Sequence, residues 1–357
     1  MNYIAASSYT AGFLDIVRGY PENRAAIHCA RRNQFRFGLR TLAGFFRGRF
    51  WAWFWHGDNI EQHSAMLPGM SATRSTKPRI AIVGAGNLAG ALAISLHGAG
   101  YGIEQIISRG SARSLRRARP LSRDVGAPTS SIARAYIHAE IVWFCVPDSA
   151  IAGAASSLKG AANWDGKVAL HSSGALTSDA LAVLRRQGAA IASVHPMMTF
   201  VRGSRPPLAD VPFAIEGSRK AVRAARAVVL SLGGHPFAIQ KQQKEAYHAW
   251  GMFASPLITA LLAASERVAV AAGVSRRAAR QRMLPILRQT LANYARLGAP
   301  ESFSGPIARG DLETVRKHLN VLRTVPGARE VYVALARSAL RDLPAKNRVA
   351  IGKMLKG

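Results

Sequence analysis

The stretch Arg79–Ala93, RIAIVGAGNLAGALA, decides how this chain is read. Its apolar run predicts a buried strand, and the small residues from Asn87 onward predict a helix. Between them, Gly84-Ala-Gly86-Asn87-Leu88-Ala89 has the spacing G-x-G-x-x-A. In that pattern the first glycine permits a tight turn and the second lets backbone approach a pyrophosphate. Ala89 is small enough for the helix to pack on the strand. The helix N-terminus turns its unpaired N–H groups to the anion. Such a string is weak by itself, but here it heads a strand–turn–helix unit. Gly84, Gly86, Asn87, Leu88 and Ala89 are therefore candidate cofactor contacts.

Downstream the pattern repeats. IEQIIS, IVWFCVP, KVALHSS and AIASVHP read as further short strands separated by helical stretches. They predict a doubly wound, mostly parallel sheet covered on both faces. VPFAIEG, a basic amphipathic helix from Ser218 to Leu232, and HPFAIQ add a strand–helix–strand piece. Beyond Lys241 no strand is predicted. Helices are expected over 242–272, 275–297, 311–323 and 327–342, broken by GVS, GAPESFSGP and VPG. Pro256 is expected to kink the first of them. The expected organisation is an α/β Rossmann domain over 78–240 and an all-α domain over 241–357.

Upstream lies a different composition. Residues 1–77 include FRFGLRTLAGFFRGRFWAWFW, in which Arg47 and Arg49 interrupt an apolar run. That run falls short of the ~20 residues a membrane span needs, and no signal-peptide cleavage pattern follows it. The segment reads as a disordered tail or an artefactual extension, ahead of a lower-weight reading of residues 40–55 as a membrane-surface anchor. No transmembrane segment is expected. With 357 residues the chain has room for two cores, and its formal net charge is +29. The arginines are scattered over stretches with helical apolar periodicity, which is the pattern of solvated helix faces. No nucleic-acid motif is visible, so a nucleic-acid partner is not expected. Two cysteines cannot form a disulfide framework, and Cys145, inside IVWFCVP, reads as a buried free thiol. A reducing, cytoplasmic compartment follows.

The second strand chooses the cofactor. An NAD site places a carboxylate at its end to bond the ribose hydroxyls, but this strand ends in Ser108-Arg109, and Glu104 comes too early. A hydroxyl and a guanidinium suit a 2′-phosphate, so NADP (NADPH) is expected. Arg113, Arg116 and Arg117 follow closely and read equally as a solvated helix face. Three further segments should end at the same crevice. VPDSAI brings Val146, Pro147 and Asp148 to the cofactor. HSSGAL offers His171, also a candidate cofactor contact, with Ser172 and Ser173 as donors to a carboxylate or carbonyl. SVHPMMTF offers His195 for proton transfer. On the long helix Lys244, His248, Gly251 and Ser255 share one face. Arg309 and Asp311 sit at a loop–helix junction, where Asp311 also suits an N-cap.

The order VPDSAI, HSSGAL, SVHPMMTF, YHAWGMFASP and SGPIARGD resembles an uncharacterised bacterial family: a Rossmann-like domain followed by a helical domain of the unknown-function 2520 type. GAGNLAGALA is similar to the opening of pyrroline-5-carboxylate reductases, and SVHPM to the turn of prephenate dehydrogenases. The resemblance implies NADP-dependent oxidation or reduction and an all-α dimerisation domain like the C-terminal part of 6-phosphogluconate dehydrogenase. It implies a homodimer through those helices. Pro256 stands where that family commonly has asparagine. The function expected is an oxidoreductase acting on a small anionic carbonyl, imine or hydroxy acid. Ser172, Ser173 and Arg309 would hold the substrate, and His195 or His248 would exchange the proton. A non-catalytic NADP-binding sensor or scaffold is the alternative. No metal site is expected.

Overall fold

The computed structural model describes residues 77–356. Residues 1–76, and with them the expectations for the leading segment, lie outside the described residues. Strand β1 (Ile80–Val83) is buried at every position. Alternation sends Ile80 and Ile82 into one core, and Ala81 and Val83 into another on the opposite face. Such a strand fits only the centre of a sheet covered on both sides.

The remaining strands are β2 (Ile103–Ser108), β3 (Thr129–Ser131), β4 (Ile141–Phe144), β5 (Val168–His171), β6 (Ala190–Pro196), β7 (Pro212–Gly217) and β8 (His235–Ala238). They form one sheet in the order β3-β2-β1-β4-β5-β6-β7-β8. Every pairing is parallel except β6 with β7, which is antiparallel. β3, a three-residue polar edge strand, was not predicted from the sequence. Helices α1 (Asn87–Gly98), α2 (Ala112–Val125) and α5 (Arg219–Ser231) cover one face, through Leu92, Leu121 and Val228. Helices α3 (Asp148–Ser157) and α4 (Ala182–Arg185) cover the other, through Ile151 and Leu184. The chain leaves β1 toward β2 on one side while β4 lies on the other, which opens a crevice at their carboxyl ends.

After β8 the chain is helical: α6 (Lys244–Ala254), α7 (Pro256–Ala271), α8 (Arg276–Ser302, broken at Gly298, which has φ 78° and ψ 178°), α9 (Pro306–Arg309), α10 (Leu312–Leu322), α11 (Ala328–Asp342) and α12 (Arg348–Met354). The expected single helix over 242–272 is two. Pro256 starts α7, and Ser255 has left helical geometry (φ −138°, ψ −72°). Proline disfavours helical backbone in the residue before it, so the chain breaks rather than bends. The single face drawn through Lys244, His248, Gly251 and Ser255 therefore ends before Ser255. Val315, Leu319, Val333, Ala336, Ile351 and Leu355 make a small core among α10, α11 and α12. In contrast, Ala264 is the one buried residue of α7 and Ala279 that of α8. Among the described residues Lys241–Ala271 is long and apolar enough in composition to cross a membrane, but its helix is interrupted at Ser255.

Candidate active site

The crevice between β1 and β4 holds a cavity of about 710 Å³. Gly84, Gly86, Ser108, Arg109, Val146 and Pro147 all line it. Gly84 has φ +120°, and a Cβ there would lie 2.3 Å from the Cys145 carbonyl oxygen, so the turn requires glycine. Gly86 is open, with nothing within 4 Å of the place a Cβ would occupy. It caps α1 without a side-chain hydrogen bond, which leaves the first-turn N–H groups to meet an anion. Asn87 and the two residues after it face elsewhere. Asn87 Nδ2 donates to the Phe200 carbonyl (3.1 Å), while Leu88 and Ala89 pack into the core under the loop.

The far end of the cavity is basic and rich in hydroxyls. Arg113 and Arg117 line it beside Arg109, Ser108, Ser111 and Ser114. Ser111 Oγ caps α2 by accepting from Ser114 N (3.2 Å). Among the described residues none of the three arginines forms an ion pair. Glu104, the misplaced carboxylate, instead faces Arg79 (3.6 Å) and accepts from His138 N (2.9 Å). A phosphorylated ribose fits this donor set, and a bare ribose would leave three guanidinium groups without a counter-charge. The glycine turn and the arginine–serine group line one and the same cavity.

Beside Cys145 and Val146, one strand over, lie the residues expected to carry chemistry. Phe144 pairs with His171, and His171 with Ser193. His171 is fully buried. Its Nδ1 accepts from Ser173 N (3.1 Å), so Nε2 donates to the Thr177 carbonyl (3.0 Å). Burial pushes its pKa down to about 4. Both ring nitrogens are occupied within the loop, so the side chain has no atom to give a cofactor. This corrects the expectation. Ser173 is corrected likewise. Its hydroxyl proton goes to Asp148 (2.8 Å), and its oxygen accepts from Ala175 N (3.2 Å) and Leu176 N (2.9 Å). That set is a loop clamp. Ser172 differs: its oxygen accepts from the Trp143 indole (2.8 Å), and its hydroxyl also neighbours the Cys145 thiol, whose pKa it pulls down against burial. Asp148 is exposed at the start of α3, outside the cavity lining.

Helix α6 closes the other side. Lys244 is completely buried, and its Nζ donates to the Ser173 carbonyl (3.0 Å) and to Ser193 Oγ (2.6 Å). Burial holds its pKa down at about 8, so it carries charge at neutral pH. The Tyr247 hydroxyl lies 2.8 Å from His195 Nδ1. His195 and His248 stand edge to face, their centroids 6.3 Å apart. A Cβ on Gly174 would lie 2.8 Å from His248 Cδ2 and 2.9 Å from His195 Nε2, so both rings rest on that bare backbone. Burial, then the Lys244 ammonium and His248, push the His195 pKa down to about 4. Cys145 is buried and free, its thiol pushed up to about 12 by burial. Arg309 is not part of this cluster; it is exposed at the end of α9 and does not line the cavity. Asp311 is the N-cap of α10, accepting from Thr314 N (3.0 Å). Lys244 belonged to the polar face expected on this helix, but Tyr247 was not singled out in the sequence, although its spacing from Lys244 and His248 places all three on one side of a helix.

Residues 66–196 match the family model of a Rossmann-like domain. Residues 211–339 match that of a domain of unknown function, DUF2520. No curated protein matches the chain. Several solved structures share its fold. A candidate NADP oxidoreductase from Bacteroides fragilis is 23% identical, with 74% of this chain and 98% of that one covered and a TM-score of 0.64. A protein from Thermotoga maritima is 24% identical, with coverages of 73% and 98% and a TM-score of 0.61. A reductive aminase from Aspergillus terreus, in complex with NADPH and ethyl-5-oxohexanoate, is 16% identical, with coverages of 78% and 100% and a TM-score of 0.54.

Proposed function

We propose that this chain, a Rossmann-like domain joined to a DUF2520 domain, is an NADP-dependent oxidoreductase that interconverts a small carbonyl or imine with its reduced form. One observation carries the reading. A single cavity is lined by an open helix N-terminus and by three arginines that form no ion pair among the described residues, and a cluster of hydrogen-bonding side chains lies one strand away from its Cys145–Pro147 wall. When bound, the nicotinamide supplies or takes a hydride at the substrate carbon. The chain's own residues place that carbon and handle the proton on the neighbouring oxygen or nitrogen. Ser172 offers its hydroxyl, which neighbours the Cys145 thiol. His195, held neutral by burial, offers a hydrogen bond rather than an imidazolium charge, the use of histidine that a dry site favours. His248 is half-buried and reaches solvent, so it exchanges the proton that catalysis consumes or releases.

Within one chain the anionic substrate suggested by the sequence keeps one of its three anchors, because Ser173 is locked into its loop and Arg309 lies outside the cavity lining, which leaves Arg309 only the partner's cleft of a dimer. The Lys244 ammonium is buried and already bonded. This favours a neutral carbonyl or an imine, in line with a reductive aminase that binds NADPH on the same fold. The helical part supports a homodimer. Helix α8 exposes Leu284, Ile286, Leu291 and Tyr294. A groove of about 550 Å³ among α7, α10 and α11 is lined by Leu261, Val268, Val321, Tyr332 and Leu335. Apolar surface on that scale is normally covered, and a two-fold partner is the commonest cover. A cytoplasmic location fits the buried free thiol. The test is NADPH consumption by the full chain with a panel of keto acids, ketones and cyclic imines. Turnover of an imine or ketone supports the reading, and cofactor binding without any turnover supports a sensor.

A further inference from the structure

Tyr247 sits in the first turn of α6 with its ring edge against His195, centroids 5.4 Å apart at 88°. It is buried, at 7% exposure. Phe237 and Trp250 pack beside it. Its hydroxyl and His195 Nδ1 are each other's only hydrogen-bond partner among the described residues. Two arrangements satisfy that contact. If Nδ1–H donated to the tyrosine, the tyrosine's own proton would have no acceptor among the described residues. Burying an unmet donor costs more than a made hydrogen bond returns. If the tyrosine donates to Nδ1, its proton is satisfied and the ring's remaining proton must sit on Nε2. That atom lies over the bare backbone of Gly174, beside His248.

We propose that Tyr247 is a positioning residue: its hydroxyl donates to His195 Nδ1 and fixes the ring in the tautomer whose Nε2–H points to the substrate. This rests on the reading of His195 as the group that meets the substrate. The surrounding charges act in the same sense. His195 faces Lys244 and His248 from α6, Asp148 from the start of α3 and His171 from β5. Burial comes first in opposing a second ring proton, the Lys244 ammonium and the neighbouring His248 act in the same direction, and Asp148 only partly offsets them. The ring therefore stays neutral at pH 7, and a neutral imidazole can donate from one nitrogen only. Which nitrogen it is then depends on the Tyr247 hydroxyl.

Long-range ¹⁵N–¹H correlation spectra of the full chain at neutral pH, with His195→Gln to assign the ring, read the tautomer directly. The native spectrum should show a protonated Nε2 and a bare Nδ1. In Tyr247→Phe the pattern should shift toward a mixture. Its kcat should fall about five-fold, the ratio that one ordinary hydrogen bond commands, with NADPH affinity unchanged. A protonated Nδ1 in the native protein overturns the proposal, and so does a Tyr247→Phe spectrum identical to the native one. If the variant fails to fold, the native spectrum still decides between the two tautomers. If no substrate turns over while the tautomer is found and moves as described, the tyrosine's role stands and the oxidoreductase reading falls.

Discussion

Replacing Gly174 with alanine should cripple turnover while leaving cofactor binding intact. The new methyl would sit 2.8 Å from His248 Cδ2 and 2.9 Å from His195 Nε2. Ordinary carbon contacts begin near ~3.5 Å, so each ring must retreat by about 0.6 Å or more. His195 has little room to do so, because Nδ1 is tied to Tyr247 at 2.8 Å and Lys244 pins the neighbouring strand ends. Gly174 is absent from the residues with positive φ, so the effect is contact and not backbone strain. Overpacking of this kind costs about 1–3 kcal/mol. A displacement approaching 1 Å at a reacting group costs up to ~10²-fold in rate. The assay is steady-state kinetics with the best imine or ketone substrate, beside calorimetric titration of NADPH and a thermal melt. We expect kcat to drop at least ten-fold, the NADPH dissociation constant to stay within about two-fold, and the fold to survive. Native turnover in a folded Gly174→Ala protein would refute the placement of the two histidines at the reacting centre.

Changing Arg113 or Arg117 to Glu should weaken NADPH roughly ten-fold or more through the loss of a charge-assisted contact of about 1.5–3 kcal/mol. NADH binding should hardly change; parallel titrations of both cofactors decide. His171 has a folded pKa of about 4 against an ordinary 6.5, so the unfolded chain binds the extra proton first. Stability is therefore full above pH 6.5 and is lost as pH falls toward 4, by an amount on the order of 3 kcal/mol for this ring. Urea unfolding across that range should show a shallower slope in His171→Gln. Placing a charge on the exposed face of α8, as in Ile286→Glu, should convert a dimer into a monomer by light scattering, and an unchanged mass would remove α8 from the interface.

The sheet was legible because its central strands are short, apolar and separated by helical stretches. The glycine loop was legible because Gly84 and Gly86 meet different demands, one a forced turn and the other an open approach. β3 was not, since Thr-Ser-Ser carries no apolar signal and pairs only at an edge. Site chemistry was harder to read. Ser172 and Ser173 are adjacent and identical in type, yet the pleat and the loop turn one toward Trp143 and the other into a clamp on Asp148. Nothing in HSSGAL tells them apart. The polar stripe that begins at Lys244 fits a cleft-facing helix or a solvated edge equally, and only the fold shows the lysine buried against a carbonyl and a hydroxyl. Tyr247 reads as a core aromatic, which it also is. Arg113 and Arg117 had a usable signal: four apart on one helix, they share a face with Ser114 and follow Arg109 at the strand end. Their helical periodicity fitted a solvated face as well, and both are exposed while also lining the cavity.

The measurement that tests the account most directly is calorimetric titration of the full chain with NADPH and NADH, repeated with Arg109→Asp. Ser108 and the three arginines line one end of the cavity, so NADPH should bind at least ten-fold more tightly than NADH, and Arg109→Asp should reverse or erase that preference. Equal affinities, tighter NADH or no binding of either would contradict it.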